Sequence, residues 1–551
     1  MYLKPVSRNS AEMEPSMGLS SGAKNFLNQY ATASQAAPSA PDDFKINVDS
    51  VSLQVASLYE NIRKVVDWKE EHLMRRIAIE RILKRRLFLK HKVDDTAEDL
   101  LIELVRGGHF PNNFISREQV KPVQTFLNRY YQRLHHLPAD SGGSTKTEIY
   151  DLLYKIAACE LEDILDPQSF GRIGAVIAFM ERTMLTKIVI GQEAKEKYPL
   201  KASDKEVLTY IAVQQALFRL DRPVIIYNIL RRYSPEWFSP KADLSSAVTA
   251  NVYKIFKNIE ARFTHPLAHK FFTACQNYSA PFLILNDAMQ NDGQNIAASA
   301  ASFKSVLKIC QQAYDNRVKV LRARLNRSAL YATISVFATH IILLYILEIP
   351  LAKLITGNLH LVAMAVDILV PTILMGVLVA SIRLPGEDNF ELIGQELQKI
   401  LYRNNELGFY EIEVYQQRGW LIKAFLRAWY GLNFIVCFGI LIGLMYWASF
   451  PITSYFVFTI FTSIILFTGS VLRKNSQELN MRPRREGFIS LVGQPLILPI
   501  IYLGRWLSGK WQKYNLAGIF FSVLLDSPFA VFINFVEQWR RFVGEKQEEI
   551  H

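Results

Sequence analysis

Residues 429–447 read WYGLNFIVCFGILIGLMYW, and after a break of four residues 452–472 read ITSYFVFTIFTSIILFTGSVL. Neither run holds an acid, a lysine or an arginine. At 1.5 Å rise per residue, a helix through either one crosses a hydrocarbon core of roughly 30 Å. Two earlier runs, 329–347 and 359–382, have similar length and character. Together the four predict an integral membrane protein. The expected fold is all-α: a large cytosolic helical domain, then a polytopic domain of four transmembrane helices in two hairpins, then two C-terminal interfacial or re-entrant helices.

Composition fits two regimes sharing one chain. Half the residues are hydrophobic and 21% are charged. That is too polar for a protein made only of membrane spans and too apolar after residue 328 for a soluble enzyme. The expected divisions are a disordered tail at 1–43, a helical cytosolic subdomain at 44–137, a linker at 138–147 and a second helical subdomain at 148–328. The first hairpin follows at 329–382, a cytosolic connection at 383–428, the second hairpin at 429–472, and cytoplasmic-side helices and tail at 473–551. Residues 1–41 show no secretory signal pattern and are rich in Ser, Ala, Pro and Asn, which is why disorder is expected there. Cys159, Cys275, Cys310 and Cys437 are widely spaced with no CxxC pair, a pattern of free thiols in a reducing compartment.

Flanking charge orients the spans. Arg317, Lys319, Arg322, Arg324 and Arg327 precede the first; Arg383, Lys423 and Arg427 bracket the middle connection; Arg473, Lys474, Arg482, Arg484 and Arg485 follow the fourth. The other two connections, 348–358 and 448–451, hold only Lys353. Basic ends stay inside, so both termini are expected in the cytoplasm, at a membrane of the bacterial cytoplasmic type. Trp429, Tyr446, Trp447 and Tyr455 stand at span ends, where amphipathic rings suit the headgroup layer. Stretches 487–504 and 516–536 are also apolar, but the first holds Pro495 and Pro499, and the second Asp526 and Pro528. If both crossed, Arg505, Lys510 and Lys513 would lie outside, against the charge rule. Four spans are therefore expected, with six as the alternative.

The soluble part reads as helices: 51–92, 148–165, 173–198, 204–218, 244–263 and 302–327 carry helical patterning, interrupted at 107–113 and punctuated at 221–223 and 234–240. Glu71 with Arg75 and Glu80 with Lys84 have the i,i+4 spacing that supports a helix. Within the connection, 390–402 reads as a helix, and alternation at 409–415 favours a strand, with helix as the other option. Residues 379–383 (VASIR) and 469–473 (GSVLR) end two inward-running spans alike. Any two spans ending at one membrane face share such features, so no duplication is inferred.

Three apparent motifs dissolve on inspection. GGSTKT at 142–147 lacks the glycines that a phosphate loop places six and one residues before its lysine. His265, His269 and Cys275 have metal-like spacing, but Pro266 sets His265 at a helix entry and no HExxH glutamate is present, so capping and packing roles outweigh zinc. No metal or cofactor is expected. The basic run at 84–92 places Lys84, Arg85, Arg86, Lys90 and Lys92 around Leu87, Phe88 and Leu89. Those cations suit an anionic surface, a lipid leaflet before nucleic acid, but a solvated helix face with its apolar side in the core explains them more simply.

The sharpest signal lies inside the first hairpin. His340 and Asp367 are ionisable residues in apolar runs, at equal count from the external turn, and Pro371 cannot donate to the Asp367 carbonyl. A structural pair beside a proline kink, or a seat for a proton or cation, would use these groups. Domain proportions favour a membrane-anchored scaffold or assembly protein whose partners are the bilayer and other proteins or copies of itself. The alternative is a small oligomeric proton- or cation-linked transporter or channel using His340 and Asp367. Catalysis is the weakest option, because no nucleophile–base pair is visible.

Overall fold

The computed structural model describes residues 18–35, 45–47, 71–89, 96–137, 146–239, 251–299, 302–343, 345, 349–350, 361–382, 384–402, 408–413, 419–447, 450, 452–481, 497–509 and 539. These are mostly helical, as the all-α expectation requires. In chain order the elements are α1 (Ser21–Ser34), α2 (Glu71–Leu89), α3 (Ala97–Arg106), α4 (Val120–His135), α5 (Lys146–Leu165), α6 (Pro167–Lys187), β1 (Ile188–Ile190), α7 (Gln192–Lys197), α8 (Ala202–Phe218), α9 (Arg222–Tyr233) and α10 (Val252–Phe263). Then come α11 (Ala268–Asn277), α12 (Ser279–Ala298), α13 (Phe303–Leu343), α14 (Leu361–Ala380), α15 (Glu387–Leu401), β2 (Tyr410–Ile412), α16 (Trp420–Trp447), α17 (Ile452–Ser476) and α18 (497–509). The chain divides into two compact units. One comprises the residues up to Leu307 with Gln395–Glu413 and Pro528–His551; the other comprises Lys308–Gly394 with Val414–Ser527.

In the first unit α5 is the central helix. Ile149, Leu153, Ile156, Ala157, Leu161 and Leu165 are buried along it, and α2, α4 and α9 pack around it. Its neighbour α6 begins where Asp166 accepts a hydrogen bond from the Ser169 N–H at 3.2 Å and Pro167 occupies the first turn. An acidic N-cap followed by proline is a strong local start signal, so the helix opens earlier than residue 173.

Three sequence expectations change here. The tail at 1–43 contains α1, a packed helix. Ser20 caps it by accepting from the Ala23 N–H, Phe26 stacks on Phe179 at 4.9 Å, and a Cβ on Gly171 would come within 2.9 Å of Ala33. Few large side chains and many alanines look like low complexity, yet alanine is the best helix former and lets α1 lie close on α6. The helix expected over 173–198 ends at Lys187, and β1 follows before α7 begins. The punctuation at 221–223 and 234–240 falls at the two ends of a helix, α9. Finally, α13 runs unbroken across 328–329, where a domain boundary was expected, and the division into units falls at Leu307.

In the second unit α14 packs on α17. Leu378 touches the site of Gly469, where a Cβ would lie 3.0 Å from Leu378 Cδ1. Beyond both helices Asn389 donates to the Leu479 carbonyl at 2.8 Å and accepts from the Met481 N–H at 3.0 Å. Contacts at 378–469 and 389–479 require parallel helices at an offset near 91 residues. Leu321 and Leu325 of α13 join Met375, Ile465 and Leu472 in the same cluster. Tyr314 donates to the Gly386 carbonyl at 3.0 Å, which sets α13 antiparallel to the other two. On α18, a Cβ on Gly504 would overlap the Ser463 carbonyl oxygen, so the two backbones meet closely.

Two described helices, α16 and the Tyr455–Lys474 part of α17, are long and apolar enough to cross a membrane by length and composition. Leu369–Ala380 of α14 is a shorter apolar helix. That comparison covers described residues only, and the expected first hairpin lies outside them at 344, 346–348 and 351–360.

Candidate functional site

The most distinctive construction in the first unit is a clasp on Gln395–Glu413, a stretch lying in sequence between apolar helices α14 and α16. β2 pairs in parallel with β1, setting Ile188 opposite Tyr410, Val189 opposite Glu411 and Ile190 opposite Ile412. The ladder closes where the Gly191 N–H donates to the Ile412 carbonyl at 3.1 Å. A Cβ at Gly191 would lie 3.2 Å from that carbonyl and 3.1 Å from Glu411 Oε1, so the smallest residue suits this contact.

A buried charge pair holds the other side of the clasp. Lys187, 1% exposed, ends α6; its Nζ donates to Glu396 Oε2 at 3.1 Å and sits 3.6 Å from the Tyr278 ring centre. Burial lowers the pKa of Lys187 against the pull of Glu396. Burial also raises that of Glu396, but Lys187 and Lys399 outweigh it and hold the carboxyl below its usual range. The Ser20 N–H donates to the Leu401 carbonyl at 2.8 Å, Lys270 donates to the Glu413 carbonyl, and Phe303 meets Tyr402 edge-on at 5.6 Å. With Leu397, Ile400, Leu401 and Ile412 buried, the described parts of the stretch, 395–402 and 408–413, are packed into this unit.

A second construction surrounds α5. Glu160, Glu162 and Asp163 are all buried, and their spacing points them to different sides of the helix. Glu160 pairs with Arg129 and accepts from the Tyr130 hydroxyl at 2.9 Å, both on α4. Glu162 faces Arg76 at 3.3 Å and Arg75 at 3.8 Å on α2. Asp163 accepts from Tyr227 and Arg231 of α9, each at 2.5 Å. Each carboxylate keys one neighbouring helix. Burial pushes Glu162 up to about 7 in spite of Arg76 and Arg75. These acids escaped the sequence reading; the available signal was three carboxylates in the otherwise apolar last ten residues of the helix, 156–165.

The residues singled out from sequence fall as follows. Lys84 bonds Glu80 at 2.6 Å and Asp151 at 2.7 Å; Arg85 pairs with Glu103, and Arg86 reaches Glu103 at 2.6 Å. Those three cations thus knit α2 to α3 and α5, while Leu83 and Leu87 enter the core. Lys90 and Lys92 lie outside the described residues. His265 Nδ1 accepts from the Leu267 N–H at 3.2 Å, a capping role; the ring of His269 lies 6.3 Å from that of Phe272, and Cys275 is buried. No cluster of three metal-ligating side chains occurs among the described residues. Residues 142–145 lie outside the description, and Lys146 opens α5. His340 lies on α13 and Asp367 on α14, but neither side chain is among those described; Pro371 is buried within α14.

No protein-family model matches the chain, and no curated protein or solved structure does either.

Proposed function

We propose that this protein is a membrane-anchored scaffold or assembly protein, presenting its helical unit to other proteins while α13, α14, α16 and α17 hold it to the bilayer as two hairpins with both termini in the cytoplasm. The observation that carries the reading is the clasp. A stretch between two apolar helices is built into the helical unit through β1–β2, Lys187–Glu396 and a set of buried side chains. The chain thus leaves this unit inside α13, after Leu307, and returns to it over 395–413. A tether needs one connection; a unit assembled from segments on both sides of α14 suits a platform for assembly.

The apolar surface of α16 supports the anchor. Trp420, Phe425, Trp429, Ile435, Tyr446 and Trp447 are exposed along it, and such continuous apolar surface belongs in lipid or against another helix. The close backbone approach of Gly504 to Ser463 places α18 beside the middle of α17, which favours a re-entrant helix over one lying in the headgroup layer.

Purification of the tagged full-length chain in mild detergent tests the proposal. A stoichiometric set of partners, retained in an Asp367→Asn variant, is the expected result. A homo-oligomer without partners that conducts ions in vesicles, and loses that flux in Asp367→Asn, would establish the transport alternative instead.

A further inference from the structure

The polar network that joins α4, α5 and the turn Pro235–Phe238 after α9 holds more positive than negative charge. Arg129 and Arg133 stand one helical turn apart on α4 and so share a face; they are 8% and 2% exposed. Arg129 pairs with one oxygen of Glu160 and donates through Nη1 to the Phe238 carbonyl at 2.8 Å. The Tyr130 hydroxyl donates to the other Glu160 oxygen at 2.9 Å and accepts from Trp237 Nε1 at 3.3 Å. Both oxygens of the carboxylate are thereby engaged.

Arg133 has no such counter-charge. Its Nη2 donates to the Trp237 carbonyl, an uncharged acceptor. Its guanidinium carbon lies 4.5 Å from the Trp237 ring centre and 5.4 Å from that of Tyr130. Among the described residues no carboxylate pairs with it, and its Nε and Nη1 have no hydrogen-bond partner. Arg129 Nε has none either, so three buried guanidinium nitrogens within one turn of α4 lack an acceptor.

Two costs coincide at Arg133. A buried donor without an acceptor is unfavourable, and a buried charge without a counter-charge is more so. The two rings attract the cation through their faces but offer its in-plane N–H groups nothing to donate to. Burial lowers the Arg133 pKa to about 10, which leaves the group charged at neutral pH. Water would serve the donors and leave the charge. An anionic group on another macromolecule would not reach a side chain 2% exposed. A small anion meets both needs.

We infer that Arg133 forms a buried binding site for one small monovalent anion of the halide class. Its Nε and Nη1 are the donors, and Arg129 lends further positive charge from one turn away. The site is independent of the membrane reading, because every group in it belongs to the helical unit. An anion bound there completes the charge balance where α4 meets α5 and the 235–238 turn, and ties the stability of that contact to the surrounding anion.

Equilibrium dialysis of the purified full-length protein against radiolabelled chloride, with gluconate as the background anion, tests the site. One saturable site per chain is expected. Arg133→Met, which keeps an apolar stem without charge or donors, should lose it. Arg133→Lys, which keeps the charge but not the Nε and Nη1 donors, should bind on the order of tenfold more weakly. Circular dichroism establishes that each variant is folded. No stoichiometric binding to the wild type, or undiminished binding in either folded variant, overturns the site. If neither variant folds, bromide-soaked crystals of the wild type decide. Anomalous density within hydrogen-bond distance of Arg133 Nε or Nη1 supports the assignment, and its absence there overturns it.

Discussion

Glu162 is the residue at which burial most clearly sets chemistry in the helical unit. Its folded-state pKa, about 7, lies above the ordinary value of 4.5. Between those two values the unfolded chain is ionised at this position while the folded chain holds the proton. The folded state therefore binds the proton more tightly, and stability falls as pH rises through that window before levelling off above it. Glu162→Gln keeps the neutral shape and should flatten the fall. Melting temperatures of wild type and variant across the window provide the check, and equal slopes would remove the assigned role. Sequence reading could place Glu162 on a helix but could not assign it to the interior, because nothing local says that Arg75 and Arg76, nearly ninety residues away, arrive beside it.

Among elements, the clasp depends on partners distant in sequence. Of its two strands, β2 was legible from the alternation at 409–415, whereas β1 was hidden: Ile188, Val189 and Ile190 continue the apolar character of α6, and only pairing with Tyr410, Glu411 and Ile412 makes them a strand. Parallel pairing needs a long crossover, so local patterning carries no trace of it. The Lys187–Glu396 pair should be the strongest single polar contribution to the clasp. Lys187→Met removes the cation and leaves Glu396 buried beside Lys399 alone, at a cost of about 2–4 kcal/mol. Hydrogen exchange should then show Tyr410–Ile412 losing protection while α5 keeps it. Unchanged protection in β2 would mean that the strand pairing and apolar contacts hold the clasp without the charge pair. α1 teaches the converse lesson: its own residues, a serine cap followed by Phe26 and Tyr30 four apart, were sufficient for a helix, but an alanine-rich setting masked them.

For the whole molecule the open question is topology, and flanking charge makes a definite prediction. In a variant lacking the native thiols, cysteines at positions 357 and 449 should react with an impermeant reagent from outside, and one at position 508 should not. External labelling at 508 would replace four spans by six, with α18 crossing rather than re-entering.

The apolar runs and their lengths are local properties, so the sequence alone determined that the chain is mostly helical and that α16 and α17 are long enough and apolar enough to cross a bilayer. Tertiary structure alone decided which helix meets which. It made α5 a buried hub keyed by three carboxylates and built 395–413 into the helical unit. Period and composition depend on neighbours along the chain, whereas register between elements is set by side chains dozens to hundreds of residues apart, and that information exists only once they pack.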